Sequence, residues 1–228
     1  MKIYFVRHGH PDYKNDCLTE LGHRQAEAVA QRLRDSKIER IFASSMGRAY
    51  QTAEHTAKVL GLDVTPCDFI REIRWDSVGS EELPAGGHPW LLSDLRAAEG
   101  ESIFMRDWQG CYPYSHCRVV EAYDRVATGT DAWLLELGYK REGDYYRVIG
   151  EDTDKTVAMF SHGGSSSAAL AHILNIPFPQ FCGMCHPDFT SVTVLEFSDG
   201  AGKLIYPKLM SYDNYHIKGT EAKNILNN

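Results

Sequence analysis

Short apolar runs mark out several segments of the chain as strands of a buried sheet. Ile3–Val6 and Ile38–Ala43 are the first two, Val64 begins a further extended segment, and Thr156–Phe160 follows much later. A short apolar run that ends at polar residues is typical of a parallel strand covered on both faces. We therefore expect the ends of these strands to open onto polar residues that form a site.

Between these runs, apolar residues recur at helical spacing. The predicted helices are Glu20 to about Asp35, Arg48–Leu60, Arg118–Leu137 and Gly163–Leu174. Thr19 is expected to cap the first helix, Gly61 to end the second and Asn175 to close the last. Gly129 is a weak point within the third helix because glycine disfavours helical backbone.

Strands that alternate with helices predict an α/β fold. We expect a three-layer sandwich, with a mostly parallel central sheet and helices on both faces. Thr190–Phe197 and Lys203–Leu209 are joined across Asp199-Gly200, a turn sequence, and should form a hairpin at the edge of the sheet.

The length of the chain predicts one domain that covers residues 1–228. Residues 76–116 break the strand and helix rhythm, with one helical candidate at Trp90–Ala98. Long irregular segments of compact domains often cover binding sites, so we interpret this one as a lid-like insertion. The polar tail at 213–228 is expected to be loosely attached.

The charge of the chain argues against a polyanionic partner. It has 24 basic and 31 acidic residues, a net charge of -7, and no dense block of lysine and arginine. Nucleic acid and anionic membrane are therefore not expected as partners. The apolar start reaches Arg7 too soon for a secretion signal, and no long apolar run follows, which predicts a soluble cytoplasmic protein.

The six cysteines allow one alternative, a zinc site. Cys182 and Cys185 form a C-x-x-C pair, and the further ligands would come from Cys111, His116 and Cys117. A second C-x-x-C pair is missing, and the spacing matches no standard zinc module. We therefore expect reduced thiols, no structural disulfide, no metal and no cofactor.

Four motifs follow one another between positions 7 and 164. They are Arg7-His8-Gly9; Leu18-Thr19-x-x-Gly22-x-x-Gln25-Ala26; Ser44-Ser45-x-x-Arg48-Ala49-x-Gln51-Thr52-Ala53; and Ser161-His162-Gly163-Gly164. In this order they resemble the histidine phosphatase superfamily, also called the phosphoglycerate mutase-like family. The resemblance implies the fold of that family and a reaction that does not depend on a metal.

The resemblance also implies a role for five residues. His8 would be the nucleophile that forms a phosphohistidine, and Glu72, in Ile70-Arg71-Glu72, would donate the proton. The residues implied to bind the phosphoryl oxygens are Arg7, Arg48 and His162.

The same roles follow from chemistry. Forked guanidinium groups match the oxygens of a phosphate monoester, and a neutral imidazole can attack phosphorus. A histidine such as His162 at the start of a helix can donate to the phosphoryl group, while Gly163 lets backbone N–H groups approach the same anion. A carboxylic acid such as Glu72 must protonate the departing alkoxide.

Several assignments have alternatives. Glu81 and Glu82 lie in the irregular segment and compete with Glu72 as the acid, and Ser44-Ser45 are expected to cap the following helix. The family's usual residues after Gly9 are replaced by His10-Pro11, and its asparagine six positions after the nucleophile is replaced by Lys14.

We retain Asn15 and His10 as further candidate substrate contacts. His186, in the loop before the predicted hairpin, is another. The aromatic and polar residues of the irregular segment that could contact the substrate are Trp90, Arg106, Trp108, Tyr112, Tyr114 and His116.

The sequence therefore predicts a phosphomonoester hydrolase that acts on a small phosphorylated metabolite through His8. One alternative is phosphoryl transfer of the phosphoglycerate mutase type. Another is a regulatory protein that binds phosphorylated ligands without turnover. The sequence leaves the substrate and the oligomeric state open.

Overall fold

A six-stranded sheet forms the centre of the computed structural model, which describes residues 1–150, 154–198 and 200–213. The strands of the described residues are β1 (Lys2–Arg7), β2 (Pro11–Asp12), β3 (Cys17–Leu18), β4 (Arg40–Ser44), β5 (Val64–Cys67), β6 (Tyr139–Glu142), β7 (Tyr145–Val148), β8 (Thr156–Ser161), β9 (Val192–Glu196), β10 (Leu204–Ile205) and β11 (Lys208–Asp213). The α-helices are α1 (Glu20–Arg32), α2 (Gly47–Leu60), α3 (Pro89–Ala98), α4 (Val119–Glu136), α5 (Gly163–Leu174) and α6 (Phe178–Met184).

The order of the central sheet is β11-β9-β1-β8-β4-β5. In this order β1, β8, β4 and β5 are parallel to one another. β9 pairs with β1 in antiparallel orientation, and β11 pairs with β9 in antiparallel orientation. The parallel strands are those that the apolar runs predict. The predicted α/β fold with a mostly parallel sheet is confirmed.

Side chains alternate between the two faces of the sheet and produce two cores. Val6 and Phe160 belong to the core beneath α1 and α2, whereas Phe5 and Met159 belong to the larger core beneath α4 and α5. Because adjacent strand residues point to opposite faces, each buried strand needs apolar residues at consecutive positions. This arrangement is the predicted three-layer sandwich.

The predicted helix ends agree with the structure. The Thr19 side chain accepts a hydrogen bond from the Gly22 N–H and caps α1. Gly61 and Asn175 end α2 and α5 in left-handed conformation, at φ 69° and 55°. Gly129 lies inside α4, where a Cβ atom would come within 2.2 Å of the Cβ atom of Phe69. Gly129, which the sequence marks as a weak point of this helix, is therefore the place where α4 packs closely against Phe69.

The predicted C-terminal hairpin is wrong in part. β9 lies second from the edge, and its partner β11 begins at Lys208 and runs to Asp213. The predicted second strand was placed too early, because Leu204–Ile205 forms β10 and pairs with β7 in a separate sheet. Pro207 separates the two strands and lacks the N–H that a continuous ladder needs.

The sequence analysis also missed a second, three-stranded sheet and one helix. The second sheet has the order β10-β7-β6, and β6 and β7 form a hairpin around Gly143, at φ 62°. The charged residues of these strands hide the usual alternation. The missed helix is α6, which is short and begins next to a proline.

Residues 76–116 contain α3 and three short 3₁₀ turns, at Pro84–Gly87, Trp108–Gly110 and Tyr114–His116. α3 packs against α6, and the buried Ser93 hydroxyl donates to the Pro179 carbonyl at 2.9 Å. Within the part of the chain that the structure describes, we find no helix long and apolar enough to cross a membrane. The predicted polar tail lies, after position 213, outside the described residues.

Candidate active site

Three neighbouring parallel strands end at one edge of the sheet and bring the motifs together. Arg7 ends β1 and His8 follows it, and His162 follows β8 as the N-cap of α5. Arg48 lies in the first turn of α2, just after β4. β8 lies between β1 and β4, so residues far apart in sequence meet at the carboxyl ends of the strands.

The His8 ring is fixed at both nitrogens. Its Nδ1 lies 2.7 Å from the Gly9 carbonyl oxygen, and its Nε2 lies 3.2 Å from Nε of Arg48. The carbonyl can only accept and the guanidinium can only donate. The ring proton is therefore assigned to Nδ1, and Nε2 carries the lone pair that faces Arg48.

Burial lowers the pKa of His8 to about 3, and the nearby Arg7 and Arg48 charges act in the same direction. The imidazole is 1% exposed and remains neutral at physiological pH. A hydrogen bond from the Gly9 N–H to the Thr52 hydroxyl, at 3.1 Å, holds Gly9, whose carbonyl group orients the ring. A neutral, oriented imidazole meets the requirements of a nucleophile.

His162 is buried beside His8, with ring centroids 5.2 Å apart. Its Nε2 lies 2.8 Å from the Ser44 hydroxyl, whereas its Nδ1 is buried without a hydrogen-bond partner. Burial lowers its pKa well below the ordinary value, as do His8 and Arg48. A neutral imidazole with one unpartnered nitrogen can still donate or accept one hydrogen bond.

Arg7 is held by the loop that precedes β9. One terminal nitrogen donates to the Pro187 carbonyl at 2.5 Å, and the guanidinium carbon lies 4.3 Å from the centre of the Phe189 ring. The Phe189 ring also lies 5.5 Å from the His8 ring. Stacking and a carbonyl contact fix the guanidinium while its buried Nε has no partner.

Arg48 is held on its other side by Asp16. A terminal nitrogen of Arg48 donates to one carboxylate oxygen of Asp16, and the Gly47 N–H donates to the other at 2.8 Å. A Cβ atom at Gly47 would lie 2.1 Å from the Asp16 carbonyl oxygen, so only glycine fits at that position. The backbone of Asp16 itself adopts the left-handed conformation, at φ 50°.

Glu72 lies across the pocket at the start of α5. One oxygen accepts from the N–H groups of Ile73 and Ser165, both at 2.9 Å, and the other accepts from Gly164 at 3.4 Å. Burial nevertheless raises the pKa of Glu72 above its ordinary value. The N–H bonds and the charge of Arg7 oppose that effect without cancelling it. A carboxyl group of raised pKa is suited to donate a proton.

These residues surround a pocket of about 480 Å³. The residues that line it are Arg7, Tyr13, Arg48, Glu72, Trp75, His88, Trp90, Gly163, Gly164, His186 and Pro187. Two arginines, the carboxyl group and the start of α5 supply its polar groups, and aromatic and imidazole rings supply much of the remaining lining. His8 and His162 are buried, and Nε2 of His8 lies 3.2 Å from Nε of Arg48. The pocket can therefore receive an anion beside the arginines and an organic group against the rings.

Two predicted contacts do not reach the pocket lining. Asn15 is exposed and donates to Asp12 at 2.8 Å, in the turn between β2 and β3. His10 Nδ1 lies 2.9 Å from the Thr19 hydroxyl, and its backbone N–H donates to Gln25. Local hydrogen bonds within their own turn and to α1 occupy both side chains. Their expected roles as substrate contacts are therefore not supported by their positions.

Ser44 and Ser45 do not cap α2 as expected, because the N-cap is Met46. Ser44 instead contacts His162, and Ser45 donates to the Asp68 carboxylate. The competing acids Glu81 and Glu82 are exposed and do not line the pocket, and Glu81 lies 3.6 Å from His116.

Of the residues expected to contact substrate from the irregular segment, Trp90 lines the pocket. His186, from the loop before β9, lines it as well. Trp108 and Tyr114 are buried in the core instead. Arg106 lines a separate cleft of about 190 Å³, and Tyr112 a third pocket on α3.

All six cysteines are free thiols. Burial raises the pKa of Cys182 well above its ordinary value and that of Cys185 less strongly, which disfavours the thiolate that zinc requires. Among the described residues, histidine, cysteine and acidic side chains do not come together in threes in a way that could hold a metal ion.

The sequence analysis missed Tyr13, Asp16, His88 and Phe189. Asp16 and Phe189 act on the arginines from loops whose spacing in sequence carries no signal. Tyr13 follows the Arg7-His8-Gly9 motif closely, and the centre of its ring lies 5.4 Å from the Arg48 guanidinium carbon. Its position in the loop after β1 is the one signal that could have indicated it.

A sequence model described as the histidine phosphatase superfamily (branch 1) matches residues 3–207. The probable phosphoglycerate mutase GpmB of Yersinia pestis is 37% identical over 115 residues, which are 45% of this chain and 54% of that protein. The chain spans about half the length of the curated relatives it matches.

Two solved structures share the fold over nearly their whole length. Mycobacterial glucosyl-3-phosphoglycerate phosphatase is 23% identical with a TM-score of 0.64, covering 94% of this chain and 99% of its own. Phosphoserine phosphatase from Entamoeba histolytica, solved with 3-phosphoglyceric acid, is 19% identical with a TM-score of 0.60, covering 93% and 96%. At these identities the similarity supports the fold alone.

Proposed function

The chain belongs to branch 1 of the histidine phosphatase superfamily, and from this premise we propose that it hydrolyses small phosphomonoesters through a phosphohistidine on His8. The observation that carries the proposal is the tautomer of His8. Its proton is held by the Gly9 carbonyl, so Nε2 presents a lone pair beside two guanidinium groups. An imidazole held in this way needs no deprotonation before it attacks phosphorus.

In the first step, Nε2 of His8 forms a bond to phosphorus while the bond from phosphorus to the alcohol oxygen breaks. Arg48 would give up its hydrogen bond to Nε2 of His8 and donate to a phosphoryl oxygen instead, and Arg7 would bind another phosphoryl oxygen. Phosphoryl transfer needs mainly alignment and charge stabilisation, which two fixed guanidinium groups supply. His162 would donate to the phosphoryl group from the nitrogen that now lacks a partner.

Glu72 would donate its proton to the departing alkoxide and become a carboxylate. In the second step the same carboxylate would take a proton from water, and the water oxygen would attack phosphorus and release His8. The raised pKa of Glu72 supports this double role, because the carboxyl group is neutral over a wider range of pH than in solution. No step requires a metal or an organic cofactor.

A second candidate is phosphoryl transfer of the mutase type. The observation that favours it is the similarity to probable phosphoglycerate mutases. A mutase would return the phosphoryl group from His8 to another hydroxyl of the substrate instead of to water. A third reading, a protein that binds phosphorylated ligands without turnover, is less well supported because nucleophile, acid and arginines are all present.

The decisive experiment compares wild type with His8→Ala on p-nitrophenyl phosphate, with a parallel acid quench to detect a labile phosphoenzyme. We expect hydrolysis to fall by at least ~10³-fold in the variant and the phosphoenzyme to disappear. His116→Ala, at an exposed histidine that does not line the pocket, is the matched control and should retain activity.

A phosphoenzyme that persists in water and converts 3-phosphoglycerate into its isomer would favour the mutase. Hydrolysis that survives in His8→Ala would reject His8 as nucleophile. Absence of both turnover and labelling across a broad panel of phosphoesters would leave the binding protein as the remaining candidate.

A further inference from the structure

Four rings that line the pocket form a continuous wall. Trp75 and His88 have ring centroids 4.8 Å apart, His88 and Trp90 5.1 Å, and Trp90 and His186 5.7 Å. The planes of Trp75 and Trp90 are perpendicular to each other. All four residues line the pocket, so the wall faces whatever is attached to the phosphoryl group.

The wall is assembled from three separate segments and is firmly supported. Trp75 follows Glu72 closely, His88 and Trp90 come from the irregular segment at the start of α3, and His186 comes from the loop after α6. The Cys117 thiol lies 2.6 Å from the Trp75 carbonyl oxygen and 3.5 Å from that of Gly87, next to His88, which ties the first segment to the second. Ring surfaces fixed before the ligand arrives reduce the entropy lost on binding.

The wall carries no fixed charge. Of the described residues that line the pocket, those with a permanent positive charge are Arg7 and Arg48, and neither belongs to the wall. Burial, together with His186, lowers the pKa of His88, so its imidazole is neutral at physiological pH. An anionic group placed against the wall would lose water without gaining a partner of permanent positive charge within the wall, which is costly.

We propose that the substrate's alcohol portion is an uncharged ring that stacks on the wall formed by Trp75, His88, Trp90 and His186. This inference rests on the proposed phosphatase function and names its substrate class. A sugar ring and an aryl ring share the required chemistry, a flat uncharged face beside the phosphate. Alcohols that carry a carboxylate or a second phosphate near the wall are disfavoured.

Three 6-phosphates derived from hexoses distinguish the effect of a ring from the effect of a charge. Glucose 6-phosphate presents a neutral ring, sorbitol 6-phosphate a neutral open chain, and 6-phosphogluconate an open chain with a carboxylate. All three are phosphorylated on a primary hydroxyl, so the bond that breaks is the same. We expect kcat/KM to decrease in that order, with at least ~10-fold between the first and the last.

Binding to His8→Ala is measured in parallel by tryptophan fluorescence, because Trp75 and Trp90 line the pocket. This titration does not depend on turnover, and it should give the same order of affinity for the three hexose phosphates. Phenyl phosphate serves as the fourth ligand. If phenyl phosphate binds more tightly than glucose 6-phosphate, the alcohol portion of the substrate is an aryl group. If it binds more weakly, the alcohol portion is a sugar.

Two variants test the wall itself. Trp75→Ala should reduce the preference for glucose 6-phosphate over sorbitol 6-phosphate about 5-fold. Tyr112→Ala, an exposed ring outside this pocket, should leave that preference unchanged. His88→Arg adds the missing cation and should improve 6-phosphogluconate about 10-fold relative to sorbitol 6-phosphate.

The outcomes separate this inference from the proposed function. If no phosphoester is hydrolysed, the proposed function fails, and the fluorescence titration still decides the ligand class. If His8-dependent hydrolysis is present but 6-phosphogluconate is used or bound as well as glucose 6-phosphate, the charge argument is overturned. Equal values for glucose 6-phosphate and sorbitol 6-phosphate, unchanged in Trp75→Ala, would overturn stacking on the wall.

Discussion

Replacement of Glu72 by glutamine removes the proton that the carboxyl group could transfer and leaves the surrounding contacts almost intact. Glutamine has the same shape, and its carbonyl oxygen can still accept from the N–H groups of Ile73 and Ser165, both at 2.9 Å. The contact with the Gly164 N–H is lost, but at 3.4 Å it is the longest of the three. The variant therefore tests acid catalysis more than structure.

The size of the effect depends on the leaving group. An alkoxide is a poor leaving group and needs the proton, so general acid catalysis worth ~10²- to 10⁴-fold should be lost on glucose 6-phosphate or glycerol phosphate. That loss corresponds to about 3 to 5 kcal/mol of transition-state stabilisation. p-Nitrophenolate leaves readily without a proton, so formation of the phosphohistidine from p-nitrophenyl phosphate should be much less affected.

The assay is the ratio of kcat/KM for the alkyl and aryl phosphates, followed from about pH 4 to pH 9. In wild type, activity on the alkyl phosphate should fall as pH rises through the raised pKa of Glu72. The variant should lose that limb of the profile. Equal losses on both substrates, with the limb retained, would refute Glu72 as the acid.

The same variant has a stability signature. Because burial raises the pKa of Glu72, the folded state binds its proton more tightly than the unfolded state does. The stability that this carboxyl group contributes is present below its unfolded pKa and is lost as pH rises through the folded pKa. Glutamine cannot ionise, so the variant should have the higher Tm at pH 8, and the difference should shrink towards about pH 4.

Three further predictions concern packing and positioning. Thr52→Val should destabilise the fold by about 1 to 3 kcal/mol in urea unfolding, because it leaves the buried backbone N–H of Gly9, beside His8, without an acceptor. Thr56→Val, one turn later, is the matched control and should cost little, because the buried Thr56 hydroxyl has no partner to lose. Gly129→Ala should lower Tm despite alanine's higher helix propensity, since its Cβ would lie 2.2 Å from that of Phe69; an increase in Tm would contradict this contact. Arg48→Lys should reduce kcat/KM by ~10²-fold with the circular dichroism spectrum unchanged, because an ammonium group cannot make the forked contacts of a guanidinium; full activity would argue against a direct phosphate contact.

The order of elements was readable from the chain because it rests on local patterns. The buried strands are continuous apolar runs, and the ends of α1, α2 and α5 carry residues whose conformational preferences act within a few positions. The pairing of the strands at the edge of the sheet could not be predicted from such local patterns. Leu204–Ile205 and Lys208–Asp213 follow one another closely in the chain, yet the first pairs with Tyr146 and Arg147, far back in the sequence, and the second pairs with β9.

The sequence by itself determined the α/β fold and brought together the residues that we propose handle phosphate, because motifs at the ends of parallel strands must meet at one edge of the sheet. Only the tertiary structure decided how those residues are held. Asp16 contacts Arg48 from one loop, Phe189 contacts Arg7 from another, and four rings from three segments line the same pocket. Loops follow no periodic pattern, and their side chains acquire neighbours only when the sheet has brought distant segments together.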